Sequence, residues 1–161
     1  MIPLDLKPRQ DTYRIDLPAL KFKTGKETVI PHIVIARPTT ATEKAAFAAA
    51  RRAVPSRNEG EDDEAFLERA RADLDALGVL RAVQRLGMEA GIDGAIRTLA
   101  LIYHAVVLVE SWEGFGDRVS GELVEPGFEA VAAAMRNSYI ASQVEARINA
   151  IVGEVAAEGN A

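Results

Sequence analysis

Residues 94–111, GAIRTLALIYHAVVLVES, decide the fold. At helical spacing Ile96, Leu99, Ala100, Tyr103, Val106 and Val107 share one face. Leu101, Ile102, Ala105, Leu108 and Val109 cover most of the remainder. A helix apolar nearly all round belongs at the centre of a core. Its longest uncharged run, Thr98 to Val109, is shorter than the roughly 20 apolar residues of a membrane span, so it reads as a buried core helix. Upstream, Gly91 and Gly94 bracket Asp93, which reads as the N-cap.

Amphipathic helices are predicted on both sides of this segment. Thr40 and Glu43 stand at the spacing of a capping box, opening an Ala-rich helix that Pro55 stops. Phe66, Ala70, Leu74 and Leu77 form a second helical face, and Gly78 sits where a C′ glycine belongs. Leu80, Val83 and Leu86 mark a short third helix. Downstream, Glu125-Pro126 opens a helix faced by Phe128, Val131 and Met135, proline being favoured in the first turn. Asn137 or Ser138 caps a last helix with Ile140, Val144, Ile148, Ile151 and Val155 on one side. Between them, Ser111 to Asp117 breaks the central helix with two glycines, and Val119 to Val124 reads as a short extended excursion.

The front of the chain is different. Thr12 to Leu17 alternates apolar and polar residues, as a half-buried strand does, and Ala19 to Lys23 repeats the pattern. Thr24-Gly-Lys-Glu27 supplies a turn, and Thr28 to Arg37 is a β-branched run in which Pro31 demands an edge or a bulge. Strands first and helices after, without alternation, argue against a parallel α/β sheet. The predicted class is α+β, mostly α: a small N-terminal antiparallel sheet of two or three strands, then a bundle of about five helices. A chain of 161 residues is one domain of ordinary size. Residues 1–55 form its β-rich front and first helix, and residues 62–158 its helical lobe. The polar Ser56–Asp63 stretch is the loop between, readable also as a hinge.

Composition excludes much chemistry. There is no Cys and only two His, His32 and His104, so thiol catalysis, thiolate metal sites and His-rich metal sites are ruled out. His32 sits in a strand and His104 in the most apolar helix, places where a lone His is a core or edge residue. Glu59 and Glu61 to Glu64 cluster, but their Gly60 precedes the acids, unlike a calcium-binding loop. Acids at a helix start are explained by the helix dipole. No phosphate-binding glycine motif and no G-x-S-x-G is present. No catalytic, cofactor-binding or metal-binding residue is assigned, and no cofactor. The N-terminus lacks the pattern of a secretory signal, so a cytoplasmic location is expected.

The net charge of -5 hides an asymmetry. Residues 1–60 hold 11 Lys/Arg against 6 Asp/Glu, whereas residues 61–161 hold 8 against 18. All five Lys lie before residue 45. A basic front and an acidic back point to two partners or to self-association through complementary fields, unless the lysines serve only to discourage strand-edge aggregation. Lys7, Arg9, Arg14, Lys21, Lys23 and Lys26, interleaved with Tyr13 and Phe22, form the only nucleic-acid-like feature. The acidic remainder makes nucleic acid an unlikely partner, and a membrane is not expected as one.

One region is more specific. The apolar helix runs into Val109-Glu-Ser-Trp-Glu-Gly-Phe-Gly-Asp117, a polar turn follows, and Leu123-Val-Glu-Pro-Gly-Phe-Glu129 leads into the last two helices. Residues 107–151 thereby resemble the tail assembly chaperones of long-tailed bacteriophages and phage-like gene transfer agents. In that family an apolar helix leads to a W-x-G-[VF]-x-D segment and then to a Pro-containing helix start. The front agrees loosely, and residues 54–94 lie outside the pattern. The resemblance carries over to Trp112, Gly114, Phe115, Asp117, Pro126 and Phe128, with a structural or interaction role. It implies a non-catalytic chaperone that coats the long tape-measure protein, recruits the tail tube protein, and is absent from the mature particle. The alternatives are a structural head–tail connector or tail terminator, and a small intracellular adaptor or regulator.

Overall fold

The computed structural model describes residues 11–117 and 119–158, with helical backbone alone for residues 155–158. Val155's side chain, Lys7 and Arg9 therefore lie outside the described residues. The architecture is α+β and mostly helical, with a three-stranded antiparallel sheet.

Strand β1 (Thr12–Asp16) pairs antiparallel with β4 (His32–Ala36), Ile15 opposite Ile33. Alternation puts Ile15, Ile33 and Ile35 into the core. Between them the two runs expected to extend the sheet do otherwise. Pro18–Leu20 winds into a single 3-10 turn, and a separate hairpin follows, β2 (Phe22–Thr24) with β3 (Glu27–Val29). Its two-residue turn has Gly25 at φ +63, the hand that matches strand twist. Pro31 explains why Thr28–Arg37 is not one strand. It has no N–H to give a ladder, and its carbonyl instead accepts from the Leu17 N–H at 2.8 Å.

The third strand of the sheet comes from far along the chain. Strand β5 (Val109–Glu113) pairs antiparallel with the free edge of β4, with an irregularity between Val34 and Ile35. The central helix therefore ends at Leu108 and not at Ser111, because β4 offers unpaired backbone groups that must be satisfied.

The described residues also form six α-helices. Helix α1 (Thr40–Ala53) begins one residue earlier than its pattern implies: Thr39 is the N-cap, and Thr39 and Thr42 close the capping box through each other's backbone N–H groups. Helix α2 (Asp63–Ala76) ends in a Schellman motif. The N–H of Gly78, at φ +71, bonds to the Asp75 carbonyl, and the N–H of Val79 to the Leu74 carbonyl. Helices α3 (Leu80–Leu86) and α4 (Met88–Leu108) meet at Gly87. Helix α5 (Phe128–Met135) starts after Gly127, so Pro126 precedes the helix and is not in its first turn. Helix α6 (Ser138–Glu158) is capped by the Asn137 side chain, which accepts from the N–H groups of Tyr139 and Ile140.

Helix α4 organises the packing. Its C-terminal half, with Ala105 and Leu108, joins the sheet residues and Val131, Met135, Ile140, Val144, Ile148 and Ile151 of α5 and α6 in one core. Its first turns, with Met88 and Ile92, pack on a second cluster of Phe66, Ala70, Leu74 and Val83 from α2 and α3. Helix α1 lies along α4 more extensively than any other element does, burying Ala46 and Ala50.

Gly91 and Gly94 are thus interior residues of α4 and do not flank an N-cap. They differ in role. A Cβ at Gly91 would meet Val83 Cγ2 at 2.3 Å and Val83 backbone atoms at 2.8 Å, whereas Gly94 has open space. Gly91→Ala is expected to destabilise the fold by about 1–3 kcal/mol through overpacking. Gly94→Ala should stabilise it by up to about 1 kcal/mol through helix propensity. Urea unfolding midpoints of the two variants check both.

Candidate interaction surface

The turn that follows β5 is built by the residues singled out in the sequence. Gly114, at φ +83, reverses the chain in a conformation that L side chains rarely adopt. A Cβ there would also sit 3.1 Å from Pro31, so glycine is needed for close approach as well. The reversal lays the Phe115 ring flat on that of Trp112, with centroids 4.4 Å apart. Trp112 Nε1 donates to the Val124 carbonyl at 2.5 Å, and the Val124 N–H donates to the Phe115 carbonyl at 3.1 Å.

Asp117 closes the outer end. Its carboxylate accepts from the N–H groups of Ser120 at 2.7 Å and Val119 at 2.8 Å. Those two donors hold its carboxyl below the usual carboxylate range. The extended excursion expected at Val119–Val124 reduces to a single antiparallel bridge, Gly116 to Leu123.

Trp112, Gly114, Phe115 and Asp117 therefore form one unit. Phe128 does not belong to it. It stands on α5, its ring 6.1 Å from that of Tyr103 on α4, and is 54% exposed. Pro126 is half-buried on the approach to α5. Sequence reasoning missed the two most exposed apolar residues of the region, Val119 at 96% and Leu123 at 83%. The sequence marked them only as part of a short extended excursion; in the fold they follow the tight Asp117 turn and stand in solvent.

The apolar face of α4 is only partly covered. Over the most apolar window of this 21-residue helix just 28% of residues are buried. By length and composition alone the helix could cross a membrane; here it is packed on the sheet and on its neighbouring helices. Its uncovered side lines two grooves. One, of about 800 Å³, is bounded by α4, α5 and α6 and lined by Leu99, Ile102, Tyr103, Phe128 and Met135. The other, of about 610 Å³, lies between α1, α4 and α6, lined by Phe47, Leu101, Ile148 and Val152. Arg97, Leu101 and Glu145 border both. A third cleft, of about 1010 Å³, opens between the α1–α2 connection and the start of α4.

The remaining sequence candidates find local partners. In the acidic stretch, Arg69 grips Glu61 through two bonds of 2.8 Å and also bonds the Ser56 carbonyl. That guanidinium, with the Asn58 N–H, holds the Glu61 carboxyl at about 2. Ser56–Asp63 is thus clasped to α2 by ion pairs, including Arg57 with Asp63. Among the described residues no group of acids and histidines is arranged to hold a metal. In the basic front, Arg147 covers the Tyr13 ring and Arg14 pairs with Asp16, so the basic-aromatic array is dispersed. Among the described residues of that array, only Lys21, Phe22, Lys23 and Lys26 stand exposed together, at the hairpin.

His104 is 7% exposed, its Nε2 3.0 Å from Thr42 Oγ1. Thr42 Oγ1 donates to the Thr39 carbonyl, so the imidazole Nε2–H donates to the hydroxyl oxygen. Burial lowers the His104 pKa, opposed by the nearby charge of Glu43.

Compared with protein-family models, curated protein sequences and solved structures, the chain matches none.

Trp112→Phe keeps the stacking area but orphans the Val124 carbonyl, and should cost about 1 kcal/mol; Asp117→Ala should raise amide exchange at Val119 and Ser120 while leaving the urea midpoint nearly unchanged. For His104, a folded pKa below its unfolded value means that the unfolded chain binds the proton more readily. Its contribution is therefore complete above about pH 6.5 and declines as pH falls below that value. Thermal melts from pH 7.5 to 5 should show a loss that His104→Gln, which keeps a donor, removes.

Proposed function

We propose that the chain is a non-catalytic assembly chaperone of the phage-tail type, acting in the cytoplasm on a long helical partner, the tape-measure protein, and on tail tube subunits. The observation that carries this reading is the half-open apolar side of α4, flanked by grooves that leave Phe47, Val107, Phe128 and Val152 between 38% and 54% exposed. A surplus of accessible apolar surface in a folded chain is a binding property.

Two largely apolar grooves beside α4 offer a place for a helix laid along it. Many weak contacts repeated along one long target accumulate avidity without any single tight site. The Trp112–Asp117 unit supports this surface by fixing where β5 ends and α5 begins. The resemblance described above supplies the identity of the partner.

Co-expression with the tape-measure protein encoded nearby tests the proposal. The partner should be soluble and co-purify only when this chain is present, and Leu99→Asp with Tyr103→Asp in the groove should abolish both. A partner that is equally soluble without the chain, or never co-purifies with it, overturns the reading. Mass spectrometry of purified particles should find the chain missing; its presence at stoichiometric level would make it a structural component.

A further inference from the structure

We propose that the chain forms a two-fold symmetric dimer, in which the β2–β3 hairpin of each copy docks on the Val119–Glu129 stretch of the other. This inference does not depend on the chaperone reading.

The hairpin is a projecting ribbon. Every residue from Lys21 to Thr28 is exposed, and neither strand pairs with another strand of the sheet. A lone two-stranded hairpin is marginal in water, and this one carries Phe22 and Ile30, each 42% exposed. Around them stand Lys21, Lys23 and Lys26, with Glu27 the one acid. It is therefore an apolar ribbon with a basic rim that the described residues leave without a partner.

The second surface has the opposite charge. Val119 and Leu123 are the two most exposed large apolar residues named above. Glu122 and Glu125 flank Leu123 in the sequence, with Glu113 and Glu129 beyond them, and all four are exposed. From residue 110 to 129 the sequence holds six acids and a single basic residue, Arg118.

The two surfaces are neighbours. The base of the hairpin, at Pro31, lies against Gly114, and His32 is paired in register with Glu113, its Nδ1 3.7 Å from that carboxylate. Adjacent patches of opposite charge, each with exposed apolar residues, make one self-complementary surface. Self-complementarity on a single face is what a two-fold axis requires, since each patch meets the other once and the assembly closes. The residues involved approach the roughly 20–30 a side of a standard interface. A second copy is the occupant that answers both surfaces at once; a separate acidic or basic partner answers only one.

Analytical ultracentrifugation across protein concentration, at about 50 mM and 500 mM salt, tests the proposal. The expected result is a monomer–dimer equilibrium that weakens by roughly tenfold or more at high salt as charges are screened. Lys23→Glu with Lys26→Glu should yield a monomer, and so should Glu122→Lys with Glu125→Lys. Mixing these two variants should restore a dimer, because each basic patch again meets an acidic one. Combining all four substitutions in one chain should restore a homodimer. Circular dichroism establishes that each variant is folded, and the two rescue arms exclude misfolding as the cause of monomer formation. A wild-type chain that stays monomeric at about 0.5 mM in low salt overturns the proposal. So does open-ended growth beyond a dimer, or failure of both rescues.

Discussion

The β4–β5 ladder is the constraint on which the rest of the structure depends. Helix α4 passes into β5 without a connecting loop, since Leu108 is the last helical residue and Val109 the first of the strand. The backbone bonds between β5 and β4 thereby hold the end of a 21-residue helix against the sheet. With α4 held there, Ala105 and Leu108 reach Ile33 and Ile35, and α5 and α6 close over them. The same ladder positions Trp112 opposite Ile33, from which the Phe115 stack and the Gly114 reversal follow.

The far half of α4 is held differently. There is no sheet at its first turns, and the contact with α3 is close enough that Gly91 must lack a side chain. Small residues recur where α1 buries Ala46 and Ala50. Close approach through alanine and glycine gains contact at the helix axis but leaves flanking side chains uncovered. The grooves beside α4 are the consequence: the neighbouring helices touch it along narrow lines, and Tyr103, Leu99 and Phe128 fall between them. An apolar helix that would be sealed in a larger protein thus becomes, in a chain of this size, a surface able to hold a partner.

Much of the local structure was legible because it depends on local chemistry. The Gly78 terminus, the Asn137 cap, the buried stripe Ile140–Ile151 and the strand Thr12–Asp16 each follow from periodicity or from a backbone group that a nearby residue must satisfy. Of the six residues singled out from 112 to 128, Trp112, Gly114, Phe115 and Asp117 lie in one turn, whereas Pro126 and Phe128 lie on the way into and on α5. Less legible were features set by residues distant in sequence. Gly91 looked like a helix boundary because its reason, Val83, lies on another helix. Phe128 was grouped with Trp112 only through the resemblance; its neighbour in the fold is Tyr103. Val119 and Leu123 looked like strand residues, and their exposure is decided by two backbone bonds to Asp117.

The sequence by itself determined the class, the count of chemical groups available and the split of charge between front and back, because composition and hydrophobic period act within a few residues. Only the tertiary structure decided that Val109–Glu113 leaves its helix for the sheet, since a strand edge elsewhere supplies the hydrogen-bond partners. It alone decided which apolar residues remain in contact with solvent, because burial depends on how far neighbouring helices reach across α4. The charge asymmetry also takes its place there: folding sets the base of the basic hairpin, at Pro31, against Gly114 at the start of the acidic turn.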